Sequence, residues 1–482
     1  MHKDVIVVGA GISGIAAGYN LKKNCPQKSF LILEGRNEVG GTWDLFKYPG
    51  VRSDSDMHTL GFRFKPWIHN KSIADGPSIF NYLNETIDDY QLRNEIVLNN
   101  KVVAANWDSG QSKWHLKIKE KDQDKDMTCN FLFLCGGYFS YSQPHIPSFI
   151  GQENFNGQII HPQFWSEEID YTNKKIAVIG SGATAITLVP AIAQDAKHVV
   201  MIQRSPTYVV SRPSEDSINK MLKKFLPTKL TYFLVRWKNI LWQSYTFFLA
   251  RTFPQKIKTT IINLIKEELG EGYDVKKHFT PSYNPWDQRV CLVPDSDLFR
   301  VIKNQKASVV TDTIKQFETD GILMNSGKKI SADIIITATG IELNSLNDIH
   351  LSVDDKRVSA HKRLTYKGMM LSGVPNFALS FGYVNASWTL RADLTCEYVC
   401  KLINMMDKKR AKTCMPVDDK SAYGSDKLID FNSGYVQRGL SKMPQQGNRA
   451  PWKNYQNYLK DIFSVRWMPI KDSNLKFLDI ED

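Results

Sequence analysis

The chain has 482 residues, enough for about three domains at roughly 150 residues each. Its 42% hydrophobic and 23% charged residues are ordinary for globular proteins and exclude a disordered or fibrous chain, and seven cysteines are too few for a disulfide scaffold. The net charge of +12 is concentrated, because residues 217–266 hold ten Lys or Arg and no Asp or Glu. The rest of the chain is almost neutral, which argues against nucleic acid as a partner.

A predicted strand at residues 5–8 begins so close to the N-terminus that it argues against a signal peptide. No uncharged run is long enough to cross a membrane. The odd number of cysteines is more typical of a reduced protein than of a secreted one. We therefore expect a cytoplasmic protein.

A glycine-rich turn, GAGISG at residues 9–14, follows this strand and precedes a predicted helix. Glycines at this spacing allow a tight turn and a close approach of the backbone to a pyrophosphate. After the next strand, Glu34 stands twenty residues beyond Gly14, where a carboxylate binds ribose hydroxyls and repels a 2′-phosphate. The first site is therefore predicted to bind FAD or NAD, not NADP, through Gly9, Gly11, Ser13, Gly14 and Glu34.

The same pattern recurs as GSGATA at residues 180–185, again between a predicted strand and a predicted helix. The strand that follows ends in Arg204 and Ser205, and no carboxylate stands at the ribose position. A guanidinium can pair with a 2′-phosphate through two hydrogen bonds, so this site is predicted to select NADP. Its predicted binding residues are Gly180, Ser181, Gly182, Ala183, Thr184, Arg204 and Ser205. Two such sites indicate hydride transfer from NADPH to a flavin in the first site.

Residues 211–285 are predicted to form a basic helical insert. Pro227 and Pro254 divide it into two long helices. The first helix has an apolar stripe at helical spacing, formed by Leu230, Phe233, Leu234, Trp237, Ile240, Leu241, Tyr245 and Phe248. We expect this stripe to pack on the main body; the alternative is that part of residues 217–266 lies on an anionic membrane surface.

The cysteines and histidines exclude two other kinds of redox site. No two cysteines have the C-x-x-C spacing of a disulfide reductase. The ten histidines form no spaced cluster with cysteines, so no metal site is predicted. Without a second redox group, the reduced flavin most simply reacts with oxygen or with an organic acceptor.

Two further segments carry a family resemblance. Residues 40–54, GGTWDLFKYPGVRSD, match the motif G-x-W…[YF]-P-G-x-x-x-D. Residues 155–166, FNGQIIHPQFWS, match F-x-G-x-x-x-H-T-x-x-W-[PD] except at Pro162 and Ser166. Both motifs belong to the Baeyer–Villiger monooxygenases, a subgroup of the class B flavin monooxygenases, and the chain resembles this subgroup along nearly its whole length.

The resemblance implies an enzyme that uses FAD, NADPH and O₂ to convert ketones to esters or lactones through a C4a-peroxyflavin. It further implies oxidation of sulfur in thioethers or thioamides. Two alternatives remain open. One is a flavin monooxygenase that hydroxylates nitrogen or sulfur without acting on ketones, and the other is a non-catalytic protein that has kept the nucleotide-binding folds.

The resemblance also implies roles for individual residues. Family members place an arginine beside the flavin and orient it with an aspartate, and these roles fall to Arg289 and Asp54, with Arg52 and Lys303 as alternative cations. The residues expected along the flavin are Gly41, Thr42, Trp43 and Asp54. His161 and Trp388 are expected at the hinge between the domains or in the substrate pocket.

The predicted fold is α/β, with two nested Rossmann-like dinucleotide-binding domains. The FAD domain is expected to comprise residues 1–140 and 341–482, and the NADP domain residues 141–340, which include the basic insert. Ligands of open parallel sheets bind at the carboxyl ends of the strands, so we expect both cofactors in the crevice between the domains. The region after Pro416 is expected to be looser and to cover the site.

Overall fold

The computed structural model describes residues 1–121, 123–424, 428, 431–470 and 472–478. Its strands are β1 (His2–Val8), β2 (Phe30–Leu33), β3 (Ile96–Val97), β4 (Asn100–Asp108), β5 (Lys113–Glu120), β6 (Gln123–Leu134), β7 (Gln158–Ile160), β8 (Lys175–Ile179), β9 (His198–Gln203), β10 (Tyr208–Arg212), β11 (Val290–Pro294), β12 (Ala307–Thr311), β13 (Ile314–Glu318), β14 (Gly321–Met324), β15 (Lys329–Ser331), β16 (Ile334–Thr337), β17 (His350–Val353), β18 (Lys356–Arg357), β19 (Thr365–Tyr366), β20 (Met370–Leu371), β21 (Phe377–Leu379), β22 (Thr413–Pro416) and β23 (Leu475–Leu478). Its α-helices are α1 (Ile12–Asn24), α2 (Thr42–Leu45), α3 (Met57–Leu60), α4 (Gly76–Asp89), α5 (Ala183–Ile192), α6 (Ser217–Leu222), α7 (Thr228–Thr252), α8 (Pro254–Leu269), α9 (Val275–Phe279), α10 (Asp297–Lys303), α11 (Trp388–Lys409), α12 (Gly434–Gly439) and α13 (Tyr458–Ile462).

The first sheet has a parallel part, in the order β3-β2-β1-β6-β21, and an antiparallel part formed by β6, β5 and β4. Val5 and Val7 of β1 pack in the apolar cluster that includes residues of α1 and α11, whereas Ile6 packs with residues of β4 and β5. Because β1 is covered on both faces, its sequence is a continuous apolar run. The last parallel strand, β21, comes from a distant part of the chain and closes this sheet beside β6.

The second sheet is entirely parallel, in the order β12-β9-β8-β16-β7. All of its strands lie in sequence between β6 and β17 of the first sheet. The predicted fold class, with one dinucleotide-binding α/β unit nested in another, is therefore confirmed. The residues at which the two domains begin and end stay a prediction.

The predicted helical insert lies between β10 and β11, two strands that pair in parallel with each other. Pro227 directly precedes α7, and Pro254 is the first residue of α8. Both prolines thus mark the helix boundaries that the sequence indicates, since proline is well tolerated in the first turn of a helix.

The expectation that the apolar stripe of α7 packs on the main body is wrong for most of its residues. Leu241, Tyr245 and Phe248 are 53%, 54% and 59% exposed, whereas Ile240 of the same stripe is buried. The side of α7 that faces the protein instead includes Tyr232 and the fully enclosed Arg236.

Hydrogen bonds from Arg236 explain this orientation. Its Nη1 donates to the carbonyl oxygens of His58 and Gly61, each at 2.7 Å, and its Nη2 lies 3.5 Å from the Asp393 carboxylate. On the same side of α7, Asn239 and Gln243 donate to the Asp56 carboxylate at 2.8 and 2.9 Å. These contacts hold the loop around α3 against the insert. If α7 were turned the other way, the buried carbonyl groups of this loop would have no donors.

We expect Arg236→Met to lower the free energy of unfolding by about 3–5 kcal/mol, because it removes one partner of a buried ion pair. Lys229→Met, at an exposed position of the same helix, should change it by less than about 0.5 kcal/mol. Urea denaturation of both variants measures the difference. A loss below about 1 kcal/mol in Arg236→Met would show that α7 is held mainly by other contacts.

Candidate active site

One cavity of about 870 Å³ lies where the carboxyl ends of both parallel sheets meet. Most of the predicted site residues line it: Gly9, Gly11, Ser13, Glu34, Gly41, Thr42, Trp43, Asp54, Gly180, Ser181, Gly182, Ala183, Thr184, Arg204, Ser205, Arg289 and Trp388. Gly14 and His161 are not part of its wall. A crevice between two sheets is the usual place for ligands in open α/β folds.

The first glycine turn leads directly from β1 into α1. Gly9 has a φ of +99°, and a Cβ atom on Gly14 would lie only 1.8 Å from the carbonyl oxygen of Gly9. The N-cap residue of α1 is Gly11, and no side chain caps this helix end. Its first N–H groups therefore remain available to an anionic ligand, which makes the turn a fitting cradle for a pyrophosphate.

Glu34 follows β2 and is buried beside this turn. Its carboxylate accepts hydrogen bonds from the backbone N–H groups of Ala10, at 2.8 Å, and of Arg36, at 3.0 Å. Burial raises the pKa of Glu34 above its ordinary value. Each oxygen uses one lone pair on the backbone and keeps another for a ligand hydroxyl in the cavity.

The segment at the start of α2 lies against the first turn. Gly41 has a φ of +57°, and a Cβ atom there would lie 3.0 Å from the Cα atom of Gly11. Trp388, the first residue of α11, donates from Nε1 to the Ser13 hydroxyl at 2.8 Å. Its ring stacks on Tyr138, with ring centroids 5.2 Å apart. Trp388 therefore lies beside the first glycine turn, and Tyr138 is an aromatic wall residue that no sequence motif indicated.

Asp54 and Arg289 come from different parts of the chain and form an ion pair in the cavity. Nη1 of Arg289 donates to Oδ2 of Asp54 at 2.7 Å, and both side chains are 36% exposed. The Asp54 carboxylate raises the pKa of Arg289 above its ordinary value. The pair therefore supplies a fixed cation. The remaining N–H groups of Arg289 make no hydrogen bond to another described residue, so they can donate to a reacting group.

The other two candidate cations have different surroundings. Arg52 makes two hydrogen bonds to Asp297, the closer at 2.6 Å. Lys303 lies in a separate small cleft with Glu267 and Glu268, outside the wall of the main cavity. Arg52 also lines the main cavity, but its partner Asp297 lies outside the cavity wall, whereas Arg289 and its partner Asp54 both line it.

The second glycine turn repeats the geometry of the first. Gly180 has a φ of +138°, and a Cβ atom there would lie 2.3 Å from the carbonyl oxygen of Ala338. No side chain caps the start of α5. The Ser181 hydroxyl lies 3.2 Å from the carbonyl oxygen of Ser205, so the turn is tied to the end of β9. Arg204 stands exposed at this strand end, as expected for a phosphate-binding side chain.

Arg438 of α12 faces the same part of the cavity, and no sequence motif indicated it. Its Nη2 lies 3.5 Å from where a Cβ atom of Gly340 would be. Burial and the nearby charge of Arg204 lower the pKa of Arg438. Neither arginine forms a hydrogen bond or ion pair with another described residue. The expected C-terminal cover is thus present at residues 433–438, while residues 425–427, 429 and 430 lie outside the described part of the chain.

His161 lies beside the connection between the two sheets. Its Nδ1 accepts a hydrogen bond from the backbone N–H of Gln163 at 3.2 Å. The Gln163 side chain in turn donates to the carbonyl oxygens of Ser140 and Tyr141, at 3.1 and 2.9 Å. Burial lowers the pKa of His161, which favours the neutral imidazole. Its surroundings fit the hinge role better than the substrate-pocket role.

Comparison with known proteins identifies the family. The flavin-binding monooxygenase-like family matches residues 62–374, and an NAD(P)-binding Rossmann-like domain matches residues 7–71. The chain is 49% identical to the FAD-containing monooxygenase EthA of Mycobacterium tuberculosis, over 99% of this chain and 98% of that protein. The chain belongs to the flavin-binding monooxygenase-like family. It is also 45% identical to the probable FAD-binding monooxygenase AlmA of Acinetobacter baylyi, over 99% and 96% of the two chains.

Solved structures show the same fold. A steroid monooxygenase bound to NADP matches with a TM-score of 0.79 and 21% identity, over 99% of this chain and all of that one. A closed form of cyclohexanone monooxygenase matches with a TM-score of 0.72 and 18% identity, over 86% of each chain. The predicted resemblance to flavin monooxygenases is confirmed, and the predicted cofactors agree with the names of these proteins.

We expect Gly14→Ala to weaken flavin binding to this monooxygenase by at least about tenfold, because its Cβ atom meets backbone and forces the turn to open. Gly272→Ala is the matched control, since a Cβ atom at Gly272 has open space around it. Flavin content after purification, measured by visible absorbance, reports the difference. Full flavin content in Gly14→Ala would mean that the turn tolerates the added methyl group.

Proposed function

We propose that this flavin monooxygenase is an FAD- and NADPH-dependent Baeyer–Villiger monooxygenase, which converts ketones to esters or lactones with O₂. We further propose that it oxidises sulfur in thioethers or thioamides. The observation that carries the proposal is the Arg289–Asp54 ion pair in the cavity between the two glycine turns. The names of the relatives and the NADP bound to the similar steroid monooxygenase support the assignment of the two cofactors.

In this proposal FAD binds at the first turn and NADP at the second. Ser13 and the glycines of residues 9–14 hold the flavin pyrophosphate, and Glu34 binds the adenosine ribose. Arg204 binds the 2′-phosphate of NADP together with Arg438. The FAD domain comprises residues 1–140 and 341–482, the NADP domain residues 141–340, and His161 lies at the hinge.

Bound FAD, once reduced by NADPH, supplies activated oxygen to the substrate. Arg289 places a cation where negative charge develops on oxygen as the ketone carbonyl is attacked. Asp54 fixes the direction of the guanidinium and favours its charged form. Trp43 and Trp388 line the cavity with large apolar rings. In the proposed mechanism these rings displace water from the reacting groups, which strengthens the electrostatic interactions there.

A second candidate function is oxidation of nitrogen or sulfur without any reaction with ketones. Residues 155–166 depart from the Baeyer–Villiger motif at Pro162 and Ser166, a departure that marks a subgroup, whereas the complete motif at residues 41–54 counts against this second function.

Mass spectrometry after incubation with NADPH, ¹⁸O₂ and either a methyl ketone or a methyl thioether distinguishes the two functions. The proposal predicts an ester that carries one heavy oxygen atom. If the thioether is oxidised and the ketone stays unchanged, the second function is correct. If NADPH is not consumed at all, neither function holds.

We expect Arg289→Ala to lower product formation by at least about 100-fold while NADPH still reduces the bound flavin. The reason is that charge stabilisation in the oxygen-transfer step is lost, whereas both glycine turns are untouched. Lys303→Ala, which removes a cation outside the cavity, is the matched control and should keep wild-type turnover. Unchanged turnover of Arg289→Ala would remove this residue from the mechanism.

We expect Arg204→Gln and Arg438→Gln each to raise the KM for NADPH by about ten- to 100-fold, since each loses charge-assisted hydrogen bonds to a phosphate. The KM for NADH should stay almost constant, because NADH lacks the 2′-phosphate. Arg357→Gln, at an exposed position of β18, serves as the control. An equal effect of Arg438→Gln on both cofactors would place Arg438 at the pyrophosphate instead.

A further inference from the structure

The outward side of α7 is a band of large apolar side chains in contact with solvent. Its members are between 40% and 59% exposed: Leu230, Phe233, Leu234, Leu241, Trp242, Tyr245 and Phe248. Two of them, Trp242 and Tyr245, are of the aromatic types that favour the boundary between lipid and water. A monomeric protein rarely exposes such a continuous band without a partner.

A second segment extends this band. Leu459 lies on α13, Phe463 and Trp467 lie on the π-helical turn Phe463–Trp467, and Met468 follows this turn. These four side chains are 42%, 61%, 76% and 49% exposed. The rings of Trp237 and Tyr458, 6.4 Å apart, join this segment to α7. We call these exposed residues of α7 and of 459–468 the apolar surface.

The helix cannot turn over to bury this surface. On its inner side, Arg236 donates to two carbonyl groups of the α3 loop, and the Tyr232 hydroxyl donates to the carbonyl oxygen of Phe62 at 2.9 Å. Rotating α7 inward would break these bonds and leave buried polar groups without partners. The apolar surface is therefore a permanent feature of the folded chain.

Positive charge flanks the apolar surface at both ends of α7. Lys224 and Lys229 lie near its start and form no ion pair with another described residue. Lys256 lies beyond its end, over the ring of Phe253 at 5.5 Å. Since residues 217–266 contain no acidic residue, no carboxylate from this segment offsets these charges.

We infer that the apolar surface docks on an anionic lipid bilayer, with α7 lying in the plane of the interface. An apolar helix face bordered by lysines matches the acyl boundary and the negative headgroups of such a membrane. A second copy of the chain fits less well, because a twofold contact would bring the same uncompensated cations together. None of the helices among the described residues combines the length and apolarity needed to cross a bilayer, so the contact is peripheral.

Vesicle sedimentation of the purified holoenzyme tests this inference, which does not depend on the proposed function. The protein should sediment with vesicles of phosphatidylcholine and phosphatidylglycerol at low salt, and less at high salt, because salt screens the charge attraction. It should bind phosphatidylcholine vesicles only weakly. The double variant Lys224→Gln/Lys229→Gln should bind the anionic vesicles about fivefold more weakly per lysine.

The triple variant Leu241→Gln/Trp242→Gln/Tyr245→Gln should reduce vesicle binding by at least about tenfold. Ile150→Gln is the matched control, since Ile150 is 75% exposed but lies outside the apolar surface. Flavin content and NADPH oxidation without vesicles confirm that each variant is folded. The inference is wrong if the wild type binds neither kind of vesicle, or if the triple variant binds like the wild type. It is also wrong if the triple variant only dissociates a dimer in analytical ultracentrifugation.

Discussion

The carboxyl ends of two parallel sheets open into one cavity, and the rest of the site depends on this constraint. A parallel strand that is buried on both faces must carry apolar side chains along nearly its whole length, so few of its positions can bind a polar ligand. Variation and ligand contact are therefore concentrated in the turns that leave the strands. In this protein the turns after β1 and β8 begin at Gly9 and Gly180, both in the left-handed region, and both lead into a helix start without a side-chain cap. Both turns line the same cavity, which therefore holds two candidate anion sites.

The cation of the site is held by two segments that are far apart in the sequence. Asp54 ends the motif at residues 40–54, and Arg289 lies 235 residues later in the sequence, directly before β11. The pair forms only when the fold brings these two distant segments together. In the proposed division of the chain, Asp54 belongs to the FAD domain and Arg289 to the NADP domain. If this division is correct, the geometry of the ion pair depends on how the two domains are placed, and the same contact orients the guanidinium.

The sequence predicted what is encoded within a few neighbouring residues. Each glycine turn with its flanking strand and helix is such a local pattern, and it was sufficient for the fold class and for most of the turn residues that line the cavity. Arg438 and Tyr138 escaped prediction because they reach the cavity only through tertiary packing, from the short C-terminal helix α12 and from the loop after β6. His161 illustrates the intermediate case. Its motif was recognised in the sequence, but the hydrogen bond that its Nδ1 accepts from the backbone N–H of Gln163 became visible only in the structure.

Helix α7 shows why the period of an apolar pattern does not determine which side of a helix is buried. The periodicity located the helix and its apolar face correctly. The periodicity contains no information about the loop around α3. The carbonyl groups of that loop accept hydrogen bonds from Arg236, and its Asp56 carboxylate accepts from Asn239 and Gln243. Buried polar groups without partners are costly, so these donors face inward. The inner face thus explains where α7 lies, but nothing within the described chain explains why its outer face is apolar. The proposed contact with a lipid bilayer explains this apolar outer face. The lysines at both ends of the helix favour a bilayer with a negatively charged surface.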